Sequence, residues 1–473
     1  MSFRTLAAAL PCILALSLES TASEWSRFRG PNGTGVDASE KPLPLRFGPD
    51  ENVLWKTELP AGHSSPILAE ERLFLTAFED DRLYTYCLDR QTGKILWRRE
   101  APRARVTKID DRNNAASPSP AVDGSSVFVF FPDFGLLAYD FEGNERWKYP
   151  LDGFQNVYGM GASPIVAGDK VVLVCDQNTN SYIVALHKET GDLAWKVDRP
   201  EATSGHSTPV LYRDPQGDLQ IVTPGSFQLT SYSASSGRKL WWVTGLSFEM
   251  KSTPVLDDGM IYINGYGAPE NQPGTDVKAP SWEEALAKDA DGDGILSDKE
   301  VEGHARSWFG FTDLDGDGHL NQAEWRYYEA ALASRNGILG IRVGGEGDMT
   351  GRNVVWTYHK RVPQLPSALL YQGVLYMVND GGVVTTLDPK TGAMLTQGRL
   401  KGAVDNYFAS PVAGDGKIFM ASELGKIAVV KTGGSLEILA VNDLSDLIYA
   451  TPAVEDGRLY VRTRGALYCF GES

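Results

Sequence analysis

The chain has 473 residues, of which 42% are hydrophobic and 22% are charged, a balance that supports a large buried core and excludes a disordered protein. Its 61 acidic residues outnumber 45 basic residues and give a net charge of −16. Nucleic acid is therefore not expected as a partner, because its phosphates would be repelled. The 49 glycines and 26 prolines indicate many tight turns, and they favour an all-β fold.

The N-terminus has the pattern of a secretory signal peptide. An apolar stretch from Leu6 to Leu18 follows Arg4, and small residues separate it from Glu24. We predict that residues 1–23, including Cys12, are removed and that the mature protein is secreted or periplasmic. Elsewhere no apolar run approaches the ~20 residues that a membrane helix needs, so no transmembrane segment is expected. Three cysteines remain among strand-forming residues and are expected to be buried thiols: Cys87, Cys175 and Cys469.

A Ser/Thr-Pro pair followed by a hydrophobic strand recurs at intervals of about 44 residues, which is the length of one propeller blade. The copies begin at Ser65, Ser119, Ser163, Thr208, Thr253, Ser410 and Thr451, with a degenerate copy at Pro366-Ser367. Most copies end in a Thr-Gly turn with Trp four residues later, as between Asp89 and Trp97. The repeats predict an eight-bladed β-propeller of four-stranded antiparallel blades, with each Trp packed between neighbouring sheets.

One interval is far longer than the others, since 113 residues separate Thr253 from Pro366. The excess predicts an insertion into blade five. The last copy lacks an outer strand, whereas a strand-like segment beginning at Asn52 precedes the first copy. We predict that this segment completes blade eight, because closure removes an exposed sheet edge. The predicted organisation is an N-terminal segment (24–51), blades one to five (52–268), the insertion (269–337) and the remaining blades (338–473).

The repeat resembles that of pyrroloquinoline-quinone-like β-propellers, a family that includes quinoprotein dehydrogenases and the propeller lipoprotein of outer-membrane assembly, assembly factor B. The resemblance covers nearly the whole mature chain, and Trp25 to Gly33 resembles the opening of secreted bacterial propellers of this type. Blade six departs from the pattern with Thr396 where Trp is expected, and blade seven has no Trp after Gly434. The outer strands of these two blades therefore lack the signal that marks the other outer strands.

For a quinone enzyme the resemblance implies a central calcium ion, an aspartate base and usually two adjacent cysteines over the cofactor. No two cysteines of this chain are adjacent, and the family's catalytic positions cannot be matched residue by residue to its acids. We therefore do not expect pyrroloquinoline quinone. Four polar residues in blade turns are interpreted as turn residues: Asp133, Asp176, Asn178 and Asp380.

The insertion contains two twelve-residue segments with the pattern of the EF-hand calcium loop, in which positions one, three, five, seven, nine and twelve supply oxygen ligands. The predicted ligands of the first loop are Asp289, Asp291, Asp293, the Ile295 carbonyl, Ser297 and Glu300. Those of the second loop are Asp313, Asp315, Asp317, the His319 carbonyl, Asn321 and Glu324.

Two further features support a paired EF-hand. Leu296 and Leu320 both fall at position eight, where paired loops join in a short two-stranded contact. From Ser281 to Ser334 there are 13 acidic and 4 basic residues, an excess that favours cation binding. We predict two calcium ions with a structural role.

His63 and His206 stand in near-identical sequences just before two innermost strands, at one rim of the central channel. We treat both as candidate ligand-binding residues; the alternative is that they only plug the channel entrance. The equivalent places in other blades hold Met160, Lys251, Gln364, Tyr407 and Tyr449. This mixed polar and aromatic rim suits a small ligand or an extended peptide.

Three roles remain open. The first is a calcium-binding, monomeric binding or scaffolding module for a protein, peptide or saccharide at the rim. The second is a quinone-dependent dehydrogenase, and the third is an outer-membrane assembly factor. The sequence has no nucleophile elbow, no phosphate-cradling glycine loop and no zinc signature, and this favours the first role over an enzyme.

Overall fold

The computed structural model describes residues 25–267 and 278–472. The predicted signal peptide and the first residues of the predicted insertion lie outside them. Within these residues eight antiparallel sheets of four strands each are arranged as the blades of a propeller, and one sheet carries a short extra strand. The predicted fold class is confirmed. No helix among the described residues combines the length and the apolarity needed to cross a membrane.

The first strand of each blade is the innermost, and the first strands of several neighbouring blades contact one another. Blade one contains β2 (Ile67–Ala69), β3 (Arg72–Glu79), β4 (Arg82–Asp89) and β5 (Ile95–Ala101). Blade two contains β6 (Ala121–Val122), β7 (Ser126–Phe131), β8 (Gly135–Asp140) and β9 (Glu145–Pro150). Blade three contains β10 (Ile165–Ala167), β11 (Lys170–Cys175), β12 (Tyr182–His187) and β13 (Leu193–Asp198). Blade four contains β14 (Val210–Arg213), β15 (Leu219–Gly225), β16 (Gln228–Ser233) and β17 (Lys239–Thr244).

The second half of the ring follows the same plan. Blade five contains β18 (Val255–Asp257), β19 (Met260–Gly265), β22 (Gly337–Arg342) and β24 (Val354–Tyr358). Blade six contains β25 (Leu369–Tyr371), β26 (Val374–Asn379), β27 (Val383–Leu387) and β28 (Met394–Arg399). Blade seven contains β29 (Val412–Gly414), β30 (Lys417–Ala421), β31 (Lys426–Lys431) and β32 (Ile438–Asp443). Blade eight contains β33 (Ala453–Glu455), β34 (Arg458–Arg462), β35 (Ala466–Gly471) and β1 (Val53–Glu58).

The ring closes through β1, the first strand of the chain. This strand pairs antiparallel with β35, and Trp55 lies opposite Cys469 in the register. The N-terminal strand therefore supplies the outer strand of blade eight, as predicted. The outer strands of blades six and seven, β28 and β32, also form, although neither contains a tryptophan.

The Thr-Gly and Trp parts of the repeat meet across the joints between blades. Trp97 donates its indole N–H to the carbonyl oxygen of Phe141 in the next blade at 2.8 Å. A Cβ built on Gly143 in that turn would lie 2.7 Å from the Trp97 ring, so the turn needs glycine for close approach as well as for its φ of +81°. The same arrangement links Trp55 with Gly93, Trp147 with Gly191, Trp195 with Gly237, and Trp356 with Gly392.

The joint between blades four and five is different. Trp241 donates to the Gln220 side chain of its own blade at 3.0 Å. The added strand β23 (Gly347–Asp348) pairs in parallel with β17, and the short helix α5 (Thr350–Asn353) follows it. Here the Thr350-Gly351 pair lies in this helix, and no Trp packs on its glycine.

The Ser/Thr residues of the repeat connect the innermost strands in a ring of hydrogen bonds. The backbone N–H of Ser65 donates to the hydroxyl of Ser119 at 2.9 Å, and Ser119 donates in turn to Ser163 at 3.0 Å. The degenerate copy joins this ring through Ser367, which accepts from Thr253. The remaining links join Ser163 to Thr208, Ser367 to Ser410, and Ser410 to Thr451. Two steps are open, because the hydroxyls of Ser65 and Thr253 accept no hydrogen bond.

Residues 25–37, here called the axial segment, run across the central channel and include a short 3-10 helix (Pro31–Gly33). The carbonyls of Trp25 and Ser26 accept from Leu68 of blade one and Val122 of blade two, at 2.9 and 2.8 Å. Asn32 makes two hydrogen bonds with the backbone of Leu211 in blade four. Gly35 and Asp37 then pair with Ala413 in blade seven. The axial segment thus supplies hydrogen-bond partners to innermost strands that would otherwise present open edges to the channel.

The insertion connects β19 with β22. Because strands alternate in direction within a blade, this connection lies on the face where β18 begins, which is also the face of the Ser/Thr ring. Its elements are α1 (Trp282–Leu286), β20 (Leu296–Ser297), α2 (Gly303–Ser307), α3 (Phe309–Thr312), β21 (His319–Leu320) and α4 (Gln322–Ala333).

Candidate functional site

The first acidic loop, residues 289–300, is organised by hydrogen bonds from its own backbone. The two carboxylate oxygens of Asp289 accept from the N–H groups of Gly292 and Gly294 at 2.7 and 2.9 Å. Glu300 folds back over the loop and accepts from Ala290 and Ser297, both at 2.9 Å. Donation from the Ser297 N–H, the Ser297 hydroxyl and the Ala290 N–H lowers the pKa of Glu300 to about 2. The loop thus holds this carboxylate in its charged form.

The second loop, residues 313–324, repeats the arrangement. Asp313 accepts from Gly316 and Gly318 at 2.8 and 3.0 Å. Glu324 accepts from Leu314 at 2.8 Å and from Asn321 at 2.9 Å. This glutamate is buried, and burial raises its pKa. The two loops, which have no residue in common, therefore place equivalent carboxylates on equivalent backbone donors.

Each loop brings three carboxylates to one point. In both triads, Asp289–Asp291–Asp293 and Asp313–Asp315–Asp317, oxygens of the three side chains lie within 4.8 Å of one another. The side chain at position nine makes hydrogen bonds in each loop. The Ser297 hydroxyl donates to Glu300, and the Asn321 side chain caps the N-terminus of α4. At position seven, the His319 side chain is 42% exposed. The group that this residue offers as a cation ligand is therefore its backbone carbonyl.

The two loops form one unit. Leu296 pairs with Leu320 in the two-stranded sheet of β20 and β21, as predicted. Both leucines are fully buried in a small core with Trp325, Tyr328 and other apolar residues of the insertion. The helix α1 begins with a capping box, in which the side chains of Ser281 and Glu284 each accept a hydrogen bond from the other residue's backbone N–H. The insertion therefore has a hydrophobic core of its own.

Aromatic side chains attach this unit to the rim of the propeller. Phe248, between blades four and five, packs against Trp308 and Tyr327 of the insertion, with ring centroids 5.8 and 6.4 Å apart. Phe311, two residues before the second loop begins, lies 6.2 Å from the Tyr158 ring of the rim. The acidic loops are thus seated beside the mouth of the channel.

The mouth of the channel is a funnel with a cavity of about 430 Å³. Seven of the eight Ser/Thr residues of the ring, all except Thr253, line this funnel. Phe28 of the axial segment also lines it, so the axial segment contributes to its floor. Both candidate histidines line it, His63 stacked on Tyr449 at 4.4 Å and His206 beside Tyr158 at 6.1 Å. Burial lowers the pKa of each histidine to about 4, so both rings are neutral at pH 7.

The other rim residues named from the sequence divide into two groups. Four of them line the funnel: Lys251, Gln364, Tyr407 and Tyr449. Met160 does not, because its side chain is packed in the core between blades two and three. Lys251 is paired with Glu249 at 2.6 Å, and its ammonium lies 5.0 Å from the centre of the Tyr158 ring.

A long loop between β5 and β6 brings further residues that sequence reasoning missed. Asp110 and Arg112 form an ion pair at 2.7 Å, and the Arg112 guanidinium lies 5.6 Å from the Tyr158 ring centre. Tyr158 therefore has a cation on two sides. The signal for this loop was the 54-residue interval between the first two repeats, about ten residues longer than the others.

The four polar residues that the sequence places in blade turns make hydrogen bonds or ion pairs with neighbouring turns and loops. Asp176 makes a buried bidentate ion pair with Arg199, and Asp133 accepts from Arg103 at 2.7 Å. Asp380 accepts from the backbone of Tyr407, and the backbone of Asn178 donates to Gln155. The described cysteines, Cys87, Cys175 and Cys469, are buried free thiols, as predicted.

Together these features define an eight-bladed propeller with a funnel at one mouth of its channel and a pair of acidic loops beside that funnel. Residues 48–180, 179–272 and 334–473 match the family described as outer membrane protein assembly factor BamB. The chain therefore belongs to this family. The acidic loops lie between the matched segments.

Comparison with solved structures supports the fold. BamB from Moraxella catarrhalis shares 13% identity, with a TM-score of 0.55, and the match covers 88% of this chain and 98% of that one. A europium-containing methanol dehydrogenase shares 12% identity, with a TM-score of 0.56, over 95% and 98% of the two chains. The designed protein Ika8 shares 12% identity, with a TM-score of 0.55, over 89% and 100%. No curated protein matches the chain.

Proposed function

We propose that this protein is a calcium-binding β-propeller of the cell exterior or periplasm that acts as a binding module, with an EF-hand pair beside a ligand funnel. The observation that carries the proposal is the matching arrangement of the two loops. In each, backbone N–H groups hold the carboxylates of positions one and twelve, while three aspartates converge within 4.8 Å.

The chemistry of the loops fits calcium. A hard cation of this size takes about six to eight oxygen ligands, and each loop offers carboxylates, a backbone carbonyl and a polar side chain at the required spacing. Without a cation the three carboxylates of each triad repel one another, because their oxygens lie within 4.8 Å of one another and the triad contains no basic residue. Binding calcium removes this repulsion and stabilises the loops.

Calorimetric titration with calcium chloride tests the proposal. The parent protein is expected to bind two ions, and a variant with Glu300→Gln and Glu324→Gln is expected to lose this binding while circular dichroism still reports a folded propeller. A variant with Glu283→Gln and Glu302→Gln is the matched control, since both residues are exposed and lie outside the ligand positions. Unchanged stoichiometry in the first variant would contradict the proposal.

The funnel supports a binding role. Its aromatic rings, neutral histidines and Ser/Thr side chains suit a small ligand or an extended segment of a protein, peptide or saccharide. We propose a monomer that presents this funnel to its partner. Cross-linking with periplasmic extracts, for the parent and for a His63→Ala, His206→Ala variant, tests the role; identical capture by both would contradict it.

A quinone-dependent dehydrogenase and an assembly factor are the alternatives that the family raises. The funnel does not fit the quinone site that the resemblance implies: among the described residues no cysteine lines it, and metal-ligating side chains cluster in threes only in the insertion. We derive no step through such a cofactor. Dye-linked alcohol oxidation after addition of quinone and calcium would reverse this conclusion. Co-purification with outer-membrane assembly proteins would favour the assembly role.

A further inference from the structure

The charged side chains of the funnel are not evenly paired. Apart from its neutral histidines, the charged residues that line it are Asp110, Arg112, Lys251, Asp380 and Glu423. Asp110 pairs with Arg112 at 2.7 Å, and Lys251 pairs with Glu249 at 2.6 Å. Among the described residues no basic side chain forms an ion pair with Asp380 or Glu423. Both funnel cations are therefore compensated, whereas two funnel carboxylates are not.

These two carboxylates belong to one wall of the funnel, which blades six, seven and eight form. The Glu423 carboxylate accepts from the Asn406 side chain at 3.0 Å and from the Tyr449 hydroxyl at 3.1 Å. The Asp380 carboxylate accepts from the backbone N–H of Tyr407, the residue after Asn406, at 2.8 Å. Consecutive residues of one segment thus hold both acids on the same wall. All of these donors are neutral, and a carboxylate oxygen can accept more than one hydrogen bond.

Aromatic rings stand beside the two acids. The rings of Phe408 and Tyr449 pack edge to face with centroids 5.1 Å apart, and both residues line the funnel. His63 stacks on Tyr449 at 4.4 Å and adds no positive charge at pH 7, because burial lowers its pKa to about 4. We call Asp380, Phe408, Glu423 and Tyr449 the acidic wall.

A buried polar group beside the acidic wall also lacks a partner. The ring of Ser/Thr hydrogen bonds is open between blades eight and one, where the Ser65 hydroxyl has no hydrogen-bond partner. Ser65 is only 1% exposed, yet it lines the funnel two residues after His63, which stacks on Tyr449. A donor group of a ligand on this side of the funnel would supply a hydrogen bond that the protein itself does not make.

Two arginines of blade eight lie close to the acidic wall but line a different cavity. Arg462 and Arg464 line a cavity of about 250 Å³. His63 and Tyr449 line both this cavity and the funnel, so their stacked rings lie between the arginines and the funnel. Among the described lining residues, the positive charges of the funnel are thus those of Arg112 and Lys251, which already have carboxylate partners.

Carboxylates beside aromatic rings favour an organic cation. The negative face of an aromatic ring attracts an ammonium group, and a carboxylate accepts strong charge-assisted hydrogen bonds from its N–H groups. The net charge of −16 on the whole chain also attracts a positive ligand at long range.

We propose that the acidic wall binds an alkylammonium group of the funnel's ligand, the chemistry of a lysine side chain or of a small quaternary amine. The inference rests on the proposed role of the funnel as a binding site, and it is independent of calcium binding.

Probe pairs that differ in charge but not in shape test the proposal. N-acetyl-lysine amide is compared with N-acetyl-norleucine amide, and choline with the uncharged alcohol in which carbon replaces its nitrogen. Saturation-transfer NMR titrations contain calcium chloride, so that the acidic loops do not hold the probes. An ammonium probe is expected to bind about tenfold more tightly than its neutral counterpart. Tighter binding of the lysine probe than of choline would identify a peptide as the source of the group, and the reverse a small amine.

Equal affinity within both probe pairs would overturn the acidic wall as an ammonium site but leave the funnel as a binding site. Failure of both ammonium probes to bind would also overturn the inference. The proposed binding role itself is contradicted by a different result, which is unchanged capture of partners by the His63→Ala, His206→Ala variant.

Glu423→Gln locates the site, because glutamine removes one charge of the acidic wall and keeps an oxygen that can accept from Asn406 and Tyr449. It is expected to weaken the ammonium probes about fivefold and to leave the neutral probes unchanged. Glu346→Gln is the matched control, since Glu346 is exposed and does not line the funnel. The variant with Glu300→Gln and Glu324→Gln is expected to bind the ammonium probes as the parent does. Unchanged ammonium binding by Glu423→Gln would overturn the proposal.

Discussion

Replacing Gly93 with alanine tests the joint at which the propeller ring closes. Gly93 lies in the last turn of blade one, and Trp55 of the closing strand β1 packs directly on it. A Cβ at this position would lie 2.4 Å from Trp55 Cε3 and 2.7 Å from the Thr57 hydroxyl. The Trp55 indole is held in place, because its N–H donates to the carbonyl oxygen of Arg90 at 3.1 Å. The Thr57 side chain is also held, because its hydroxyl donates to the carbonyl oxygen of Gly93 itself at 2.6 Å.

The expected cost has two parts. Gly93 has a φ of +71°, and an alanine in this left-handed region costs about 1 to 2 kcal/mol. Forcing a methyl group into the packed joint adds about 1 to 3 kcal/mol, the usual range for overpacking. Gly373→Ala isolates the first part, because Gly373 has a φ of +75° and no atom lies within 4 Å of the place that its Cβ would take.

Urea unfolding followed by tryptophan fluorescence measures both variants. Gly93→Ala is expected to lose about 2 to 5 kcal/mol of unfolding free energy, and Gly373→Ala only about 1 to 2 kcal/mol. Adding Trp55→Ala to Gly93→Ala is expected to remove most of the excess cost of the alanine, since the clash with the indole is then absent and only the close contact with the Thr57 hydroxyl remains. Equal losses in the two single variants would refute the close approach at the joint.

Three further predictions concern the closing strand, a buried ion pair and a buried acid. Trp55→Ala is expected to lower the unfolding free energy by about 3 to 5 kcal/mol, whereas a loss below about 1 kcal/mol would contradict ring closure through β1. Asp176→Asn is expected to cost about 3 to 5 kcal/mol because it leaves the Arg199 charge buried without its partner. Asp81→Asn is the control and should cost under about 1 kcal/mol, because the Asp81 side chain that pairs with Arg103 is 80% exposed. Burial raises the pKa of Glu455 from 4.5 to about 7, and this outweighs the opposing effect of the Arg90 guanidinium 2.5 Å away. The folded form therefore retains a proton that the unfolded chain releases, and this contribution to stability falls as pH rises from 4.5 through 7. Glu455→Gln should remove this fall, up to about 3 kcal/mol in the difference between parent and variant over that range, and parallel pH profiles would contradict it.

The repeating features of the fold were predictable because they depend on short sequence spacings. Each Thr-Gly turn needs a left-handed residue, and each Trp follows it by four residues, so the blade period and the joints can be read along the chain. The closing strand at Asn52 was predictable for a related reason: a ring with a missing outer strand requires one from the other end of the chain. The pairing of Leu296 with Leu320 likewise follows from their equal position in two copies of one loop.

The contents of the channel were not predictable in this way. Arg27 reaches a carbonyl 182 positions away, and the link exists only because the closed ring brings blade four beside the axial segment. The same holds for Asp110 and Arg112, whose loop shows in the sequence only as extra length. Met160 was misplaced on the funnel because it stands three residues before Ser163, whereas His63 and His206 stand two residues before Ser65 and Thr208. Gly161 has the equivalent position and lines the funnel, and the Met160 side chain is packed in the core.

The amino-acid sequence by itself determined the number of blades, the closing strand and the two acidic loops, since periodic spacing and loop composition are local properties of the chain. Only the tertiary structure decided that the loops sit beside the funnel and that the hydroxyls of the repeat form an interrupted ring. It also decided that three arginines of the described residues, Arg27, Arg29 and Arg462, are buried without a carboxylate partner. These features depend on contacts between segments far apart in sequence, and ring closure fixes which segments meet.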